Sequence, residues 1–376
     1  MDTENGSGHV SRREFLVSSS SLIAAAPVVG GTAAGVAGKA LAPDPRDAAS
    51  PAQKIPIGVF DTVYPHLTLD EMLDKISALG LEAVEIGMGG YASPVHIPVE
   101  DILSDPAKAK AWKKKFDDRN IRVGALNSSG NPIHPNPTLA KKYDNDFRQA
   151  VLLAERLEIP VVVNFSGCPG DSPSAAHPNW VTYRWPPDYE EVITWQWEKV
   201  VLPYWRDAVK FARAHGMKRI AFEMHPGFVV YNPYTLMKLR EAVGEEIGAN
   251  CDLSHLFWQG CDPVEVIHYL GKQGAIFHAH MKDTVIFKHV VDQTGVLNFS
   301  EDLAKSSQGS VMFRTVGYGH GAQVWRDIVK AYMDINFQGI LSIEHEDSNL
   351  PKLVGIERAA YVLKNVRAEL LGETSS

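Results

Sequence analysis

Eight short apolar runs recur along this chain between residues 57 and 347, and amphipathic stretches separate them. They read IGVF (57–60), AVEIG (83–87), IRVGALN (121–127), VVVNF (161–165), RIAFEMH (219–225), IGANCDLSH (247–255), IFHAHMKD (276–283) and GILSIEHED (339–347). Runs of this length, alternating with helical periodicity, call for parallel strands joined by crossover helices. Two of the intervening stretches show the helical stripe plainly. Phe147, Ala150, Val151 and Ala154 share a face over 147–157, and Trp325, Ile328, Val329 and Tyr332 follow the i, i+3, i+4, i+7 rule. Eight such units predict an α/β chain folded as a single (β/α)8 TIM barrel, with each helix laying its apolar stripe on the barrel wall.

Residues 52–376 are assigned to that barrel, roughly 70 residues more than the ~250 typical of the fold. Two long segments account for the excess. Residues 166–190, rich in Pro, Trp and Tyr, and residues 284–313 both follow strand ends and are expected to be irregular. Loops of that length are usually functional, and here they would lie over the C-terminal face of the barrel. The aromatic residues Trp180, Tyr183, Trp185, Tyr189, Trp195 and Trp197 suit stacking on a sugar, a packed lid or a contact between copies of the chain.

The first 51 residues lie outside this pattern. SRREFLV (11–17) precedes a weakly apolar stretch, Ser18 to Gly38, interrupted by Pro27. The arrangement resembles a twin-arginine export signal, with Arg12 and Arg13 as the pair, and implies a folded enzyme delivered to the periplasm or cell exterior. It is a poor membrane span, because serines and Pro27 dilute a run that would need about 20 apolar residues.

Each of the last four strands ends in ionisable groups: Glu223, then Asp252 and His255, then His280, then Glu344. Active sites of (β/α)8 barrels gather at these strand ends. Singly, each side chain has a bland explanation as a paired acid or a core histidine. Together, several carboxylates converging on one rim repel one another unless a cation or protons neutralise them. Three carboxylates and one imidazole make an oxygen-rich donor set for one divalent metal, with Mn²⁺ preferred and Mg²⁺, Co²⁺ or Zn²⁺ acceptable. His278 and His280 share a face, as do Glu344 and Glu346, because strand side chains alternate. His280 is taken as the ligand because it lies nearer the mouth, and Glu344 because Glu346 falls beyond the strand. His278 and Glu346 become supporting groups.

A net charge of −8, with the 14 histidines counted neutral, argues against nucleic acid, whose binding requires Lys and Arg to replace phosphate counterions. A small molecule is the expected partner. The three cysteines, Cys168, Cys251 and Cys261, have neither the number nor the spacing of a disulfide framework.

The strings FEMHPG, DLSHL, HMKD, VGYGHG and LSIEHED, in this order at strand ends, resemble the xylose-isomerase-like barrel superfamily of sugar isomerases and epimerases. That superfamily includes ketose 3-epimerases, inosose dehydratases and hydroxypyruvate isomerases, and it shares its fold with the apurinic endonucleases. The resemblance spans about residues 55–370. It implies that Glu223, Asp252, His280 and Glu344 hold the metal, that Glu223 and Glu344 also move protons, and that His255 and Arg314 bind substrate. Two departures matter. The ketose 3-epimerases usually carry Asn where His225 stands here, so His225 joins the expected substrate-binding groups. Strands three and four end in Asn127 and Asn164 rather than the histidines of the multi-zinc nucleases.

The chemistry expected of such a site is removal of a proton α to a sugar carbonyl, with the metal stabilising the enediolate. Return of the proton gives an epimer or an isomer. Loss of a β leaving group instead gives a lyase or dehydratase, of the inosose dehydratase or 3-keto-glycoside lyase type. A rival of another class is a sugar-binding protein without turnover, against which the retention of two opposed glutamates speaks.

Overall fold

The computed structural model describes residues 54–297 and 308–373; the expected export signal and its arginines lie outside them. Eight parallel strands close into a barrel: β1 (Ile57–Phe60), β2 (Ala83–Gly87), β3 (Arg122–Asn127), β4 (Val162–Asn164), β5 (Ile220–Glu223), β6 (Ile247–Asp252), β7 (Ile276–Met281) and, after a ribbon described below, β10 (Leu341–Ile343). Neighbouring barrel strands follow chain order, and β10 pairs with both β7 and β1 to close the ring. All eight coincide with the apolar runs, and they are buried along nearly their whole length.

The helices form where the sequence can end them cleanly. Thr68 and Glu71 make a reciprocal capping box at the start of Leu69–Ala78. Helix Pro137–Leu157 starts ten residues before its visible stripe, because Asn136 caps it and Pro137 takes the first turn. Its first turns are mostly exposed and carry no apolar period, which is why the pattern began only at Phe147. Trp325, Ile328, Val329 and Tyr332 are all buried on helix Ala322–Asp334. No helix among the described residues is long and apolar enough to cross a membrane.

One expectation is corrected. Residues 284–313 are not irregular throughout: β8 (Asp283–Ile286) and β9 (Val311–Arg314) pair antiparallel, and Lys288–Thr294 is helical. The runs TVI and VMF are strand-like, but they pair only with each other, outside the barrel period. Residues 166–186 do lack regular structure. Residues 187–190, expected in that loop, instead open helix Pro187–Trp195, so Tyr189, Trp195 and Trp197 stand on helical turns.

Candidate metal and substrate site

Side-chain alternation on β5, β6 and β7 carries Glu223, Asp252 and His280 to the C-terminal rim, and Glu344 follows β10 directly. Ligand atoms from these four residues all lie within 4.8 Å of one another. His280 Nδ1 is 3.0 Å from Glu344 Oε2 and 3.3 Å from Glu223 Oε2. Asp252 is fixed by Ser254 N, which donates to Oδ1 at 2.9 Å. Its other oxygen, Oδ2, is buried without an aligned hydrogen bond, although His255 Nε2 is 3.4 Å away. His255 Nε2 is also 3.1 Å from Glu223 Oε1.

Lys282, which the sequence reading passed over, sits in the middle of these acids. Its Nζ lies 3.0 Å from Asp252 Oδ2, 2.7 Å from Glu344 Oε2 and 2.9 Å from Glu346 Oε2. Burial opposes its charge, but Asp252, Glu344 and Glu346 outweigh that and hold the ammonium well above its usual range. Burial likewise opposes Glu344, yet Lys282 and His280 bring its carboxyl down to about 2. Glu223 is held well below the ordinary carboxylate range: burial works against it, and hydrogen bonds from His255 and His280 prevail. Lys282 was legible as the next inward position after His278 and His280 in HAHMKD.

Glu85 on β2 was also missed. It is fully buried and accepts from His278 Nε2 at 2.9 Å, His280 Nε2 at 2.9 Å, Ser342 Oγ at 2.8 Å and Asn127 Nδ2 at 2.8 Å. Burial works against its charge, and the two imidazoles more than compensate. The signal in the sequence was a single acid inside an apolar strand, which is tolerable only with partners. His278 therefore supports the site through Glu85, while Glu346 reaches it through Lys282.

The arrangement fits a divalent cation. Burial opposes charge on His280, but Glu85 and Glu344 outweigh it and hold the imidazole well above its usual range, so the carboxylates draw positive charge into a buried cluster, a demand that a divalent cation would also meet. Asp252 Oδ2, which Lys282 and His255 approach without an aligned hydrogen bond, and the inward Nδ1 of His280 complete a donor set of carboxylate oxygens and one imidazole nitrogen.

Above the cluster opens a cavity of about 450 Å³ lined by Phe60, Tyr91, Asn127, Phe165, Glu223, His225, Phe228, Lys282, Glu344 and Glu346, among others. His225 Nδ1 lies 2.5 Å from Pro226 O, and its ring packs 4.1 Å from that of His255. Burial and the neighbouring His255 push its pKa down to about 3, so the imidazole is neutral. A carbonyl only accepts, so Nδ1 carries the proton and Nε2 the lone pair. Arg314 is not among the lining residues. Its Nε donates to Asp347 Oδ2 at 3.0 Å. The aromatic residues of 180–197 do not line this cavity either. Trp180 donates to Phe228 O at 2.9 Å, Trp197 is buried, and Tyr183 and Trp185 are 72% and 69% exposed.

A family model described as xylose isomerase-like TIM barrel matches residues 73–366. The chain belongs to this family. It is 34% identical over 301 residues, 80% of its own length and 95% of the relative's, to the uncharacterized protein YfiH of Bacillus subtilis (strain 168). Among solved structures, the barrel resembles that of the probable 3-DHS dehydratase AsbF from Bacillus anthracis, with TM-score 0.56 and 15% identity, covering 83% of this chain and 99% of that one. A D-tagatose 3-epimerase-like protein gives TM-score 0.53 and 18% identity over 84% and 100% of the two chains. The IolI protein with a bound zinc atom gives 0.56 and 17% over 86% and 100%. At these identities the structural likeness concerns the xylose isomerase-like fold alone. Within that fold Cys168, Cys251 and Cys261 are free thiols, and Asn127 and Asn164 are engaged in hydrogen bonds around the rim.

Proposed function

We propose that this protein is a divalent-metal-dependent sugar isomerase or epimerase that removes a proton α to a carbonyl and passes through an enediolate. The observation that carries the reading is the cluster of Glu223, Asp252, His280 and Glu344, with its two glutamates lining an open cavity. The zinc-bound IolI barrel and the epimerase-like and dehydratase barrels support it as relatives in fold. The bound cation, Mn²⁺ by preference and Mg²⁺, Co²⁺ or Zn²⁺ otherwise, would stabilise negative charge on the substrate oxygens.

The chain's own groups handle the protons. Glu223 and Glu344 reach the cavity from different strands, so one can take the α proton and the other return it on the opposite face. His255 keeps Glu223 oriented, and Lys282 keeps Glu344 ionised. His225, His255 and Arg314 are assigned to substrate, His225 directly from the cavity wall and His255 from beside Glu223 and the His225 ring. For Arg314 the assignment requires the guanidinium nitrogens that Asp347 leaves unused.

Elimination is a second reading, which the probable 3-DHS dehydratase AsbF supports as a relative in fold. The neutral Nε2 of His225 and the Lys282 ammonium both line the cavity, where the first can accept a hydrogen bond from a substrate hydroxyl and the second can donate one to a leaving oxygen. Glu223 or Glu344 would take the α proton, the electron pair of that C–H bond would form the alkene, and the β hydroxyl or alkoxide would leave with the proton that the glutamate passes on. The protein is also proposed to be exported through its twin-arginine segment and to act on free sugars, keto-sugars or glycosides.

The test uses ketoses, inososes and 3-keto-glycosides deuterated at the α carbon, followed by NMR with metal-loaded protein. Solvent exchange at that carbon with an epimer or isomer supports the first reading, and an alkene supports the second. Turnover that keeps the deuterium in place, or that ignores chelation, refutes both. Metal binding without exchange into any of these sugars would point to a binding protein.

A further inference from the structure

The mouth cavity has two unlike sides. Glu223, Lys282, Glu344 and Glu346 bring charge from the ends of β5, β7 and β10. Tyr91, Phe165 and Phe228, from segments after β2, β4 and β5, bring aromatic faces. Phe165 and Phe228 stack at 4.3 Å with an interplanar angle of 16°, and Tyr91 lies 6.1 Å from Phe165.

Tyr91 is the telling member. It is 60% exposed, yet its position is fixed from three directions. Its N donates to Ser129 O at 2.7 Å, and its ring rests 5.2 Å from Tyr143. Gly90 before it has φ +68°, and a Cβ there would lie 2.0 Å from Ser129 O, so only glycine permits this approach. The fold therefore holds an uncovered aromatic ring at the rim, where it contributes little to the core. What it offers is a flat apolar face to something in the cavity. At about 450 Å³ the cavity falls in the range of roughly 300–1,000 Å³ typical of small-molecule sites.

We propose that the substrate is a sugar bearing a second flat group, and that this group stacks on the wall formed by Tyr91, Phe165 and Phe228 while the reacting sugar lies on the charged side. The second group is a pyranose ring or an aromatic aglycone; both present the same flat, C–H-rich or π face. This deepens the proposed sugar chemistry and rests on it for the identity of the reacting part.

Binding to the full chain is measured by ligand-observed NMR with D-glucose, phenyl α- and β-D-glucopyranoside, cellobiose and maltose. The expected result is at least one glycoside binding about tenfold more tightly than glucose. Tyr91→Ala should shrink that preference by about three- to tenfold, the worth of one aromatic contact, and Tyr91→Phe should keep it. Preference for the phenyl glycosides alone identifies an aromatic aglycone, and preference for the disaccharides a second sugar. A wild-type protein with no preference for any glycoside overturns the proposal by itself, and so does a preference that Tyr91→Ala leaves intact. If α-proton exchange is absent while the Tyr91-dependent preference persists, the proton-abstraction reading fails and the aromatic subsite stands.

Discussion

His280 Nε2 lies 2.9 Å from Glu85 Oε2, although their strands, β7 and β2, are separated in the barrel by β10 and β1. An ionised carboxylate only accepts, so Nε2 is the donor and Nδ1 is the ring atom turned toward Glu223 and Glu344. Glu85 thus orients the one nitrogen in the proposed metal site without touching the cavity.

Glu85→Gln should weaken metal binding by about 10- to 100-fold, the usual effect of losing a carboxylate behind a histidine ligand. Competition with a chelator reads the affinity, and the ¹⁵N shifts of His280 read the tautomer. Unaltered affinity and tautomer would show that Glu85 only fills the barrel.

Lys282 and a bound cation neutralise the same acids, so removing the ammonium should make the fold depend on metal. Lys282→Met is expected to lower metal-free stability by about 3–5 kcal/mol, because Asp252 and Glu344 remain buried without their counter-charge. Added Mn²⁺ should then raise the melting temperature more than in the parent chain. Equal metal-induced shifts in the two proteins would contradict this.

Glu223→Gln and Glu344→Gln should each cut turnover by about two to four orders of magnitude, the range for general acid–base groups, with further loss where metal affinity falls. Asp252→Ala and His280→Ala should lose the metal itself. Stoichiometric metal in both of the latter variants would sink the ligand assignment.

Asp283 accepts from the backbone N of Thr284, Gly317, Gly319 and His320, and from Trp325 Nε1. One buried carboxylate therefore pins the VGYGHG turn to β8. Asp283→Ala strands several donors at once and should cost about 3–5 kcal/mol in urea unfolding, whereas Asp283→Asn, which keeps an acceptor oxygen, should cost less. A loss below about 1 kcal/mol would mean that water replaces the carboxylate.

Replacing Arg12 and Arg13 by Lys should abolish export while leaving the activity of the purified enzyme unchanged. Fractionation of cells reads the outcome, and undiminished accumulation outside the cytoplasm would remove the twin-arginine assignment.

The amino-acid sequence by itself determined the barrel, because its strands are local: each is a short apolar run, and alternation of side chains puts Glu223, Asp252 and His280 on the inward, C-terminal side without reference to any partner. Only the tertiary structure decided what those groups meet. Glu85 is 195 residues from His280 in the chain, and Lys282 is 62 from Glu344, so neither pairing leaves a periodic trace in the sequence. The same holds for the cavity wall. The tryptophan-rich segment was the conspicuous candidate, yet the phenyl rings that line the mouth are isolated ones, Phe60 at the end of β1 and Tyr91, Phe165 and Phe228 from three separate loops. Local pattern fixes which face a side chain takes; barrel closure fixes which distant side chains share that space, and the electrostatics of this site arise from the second.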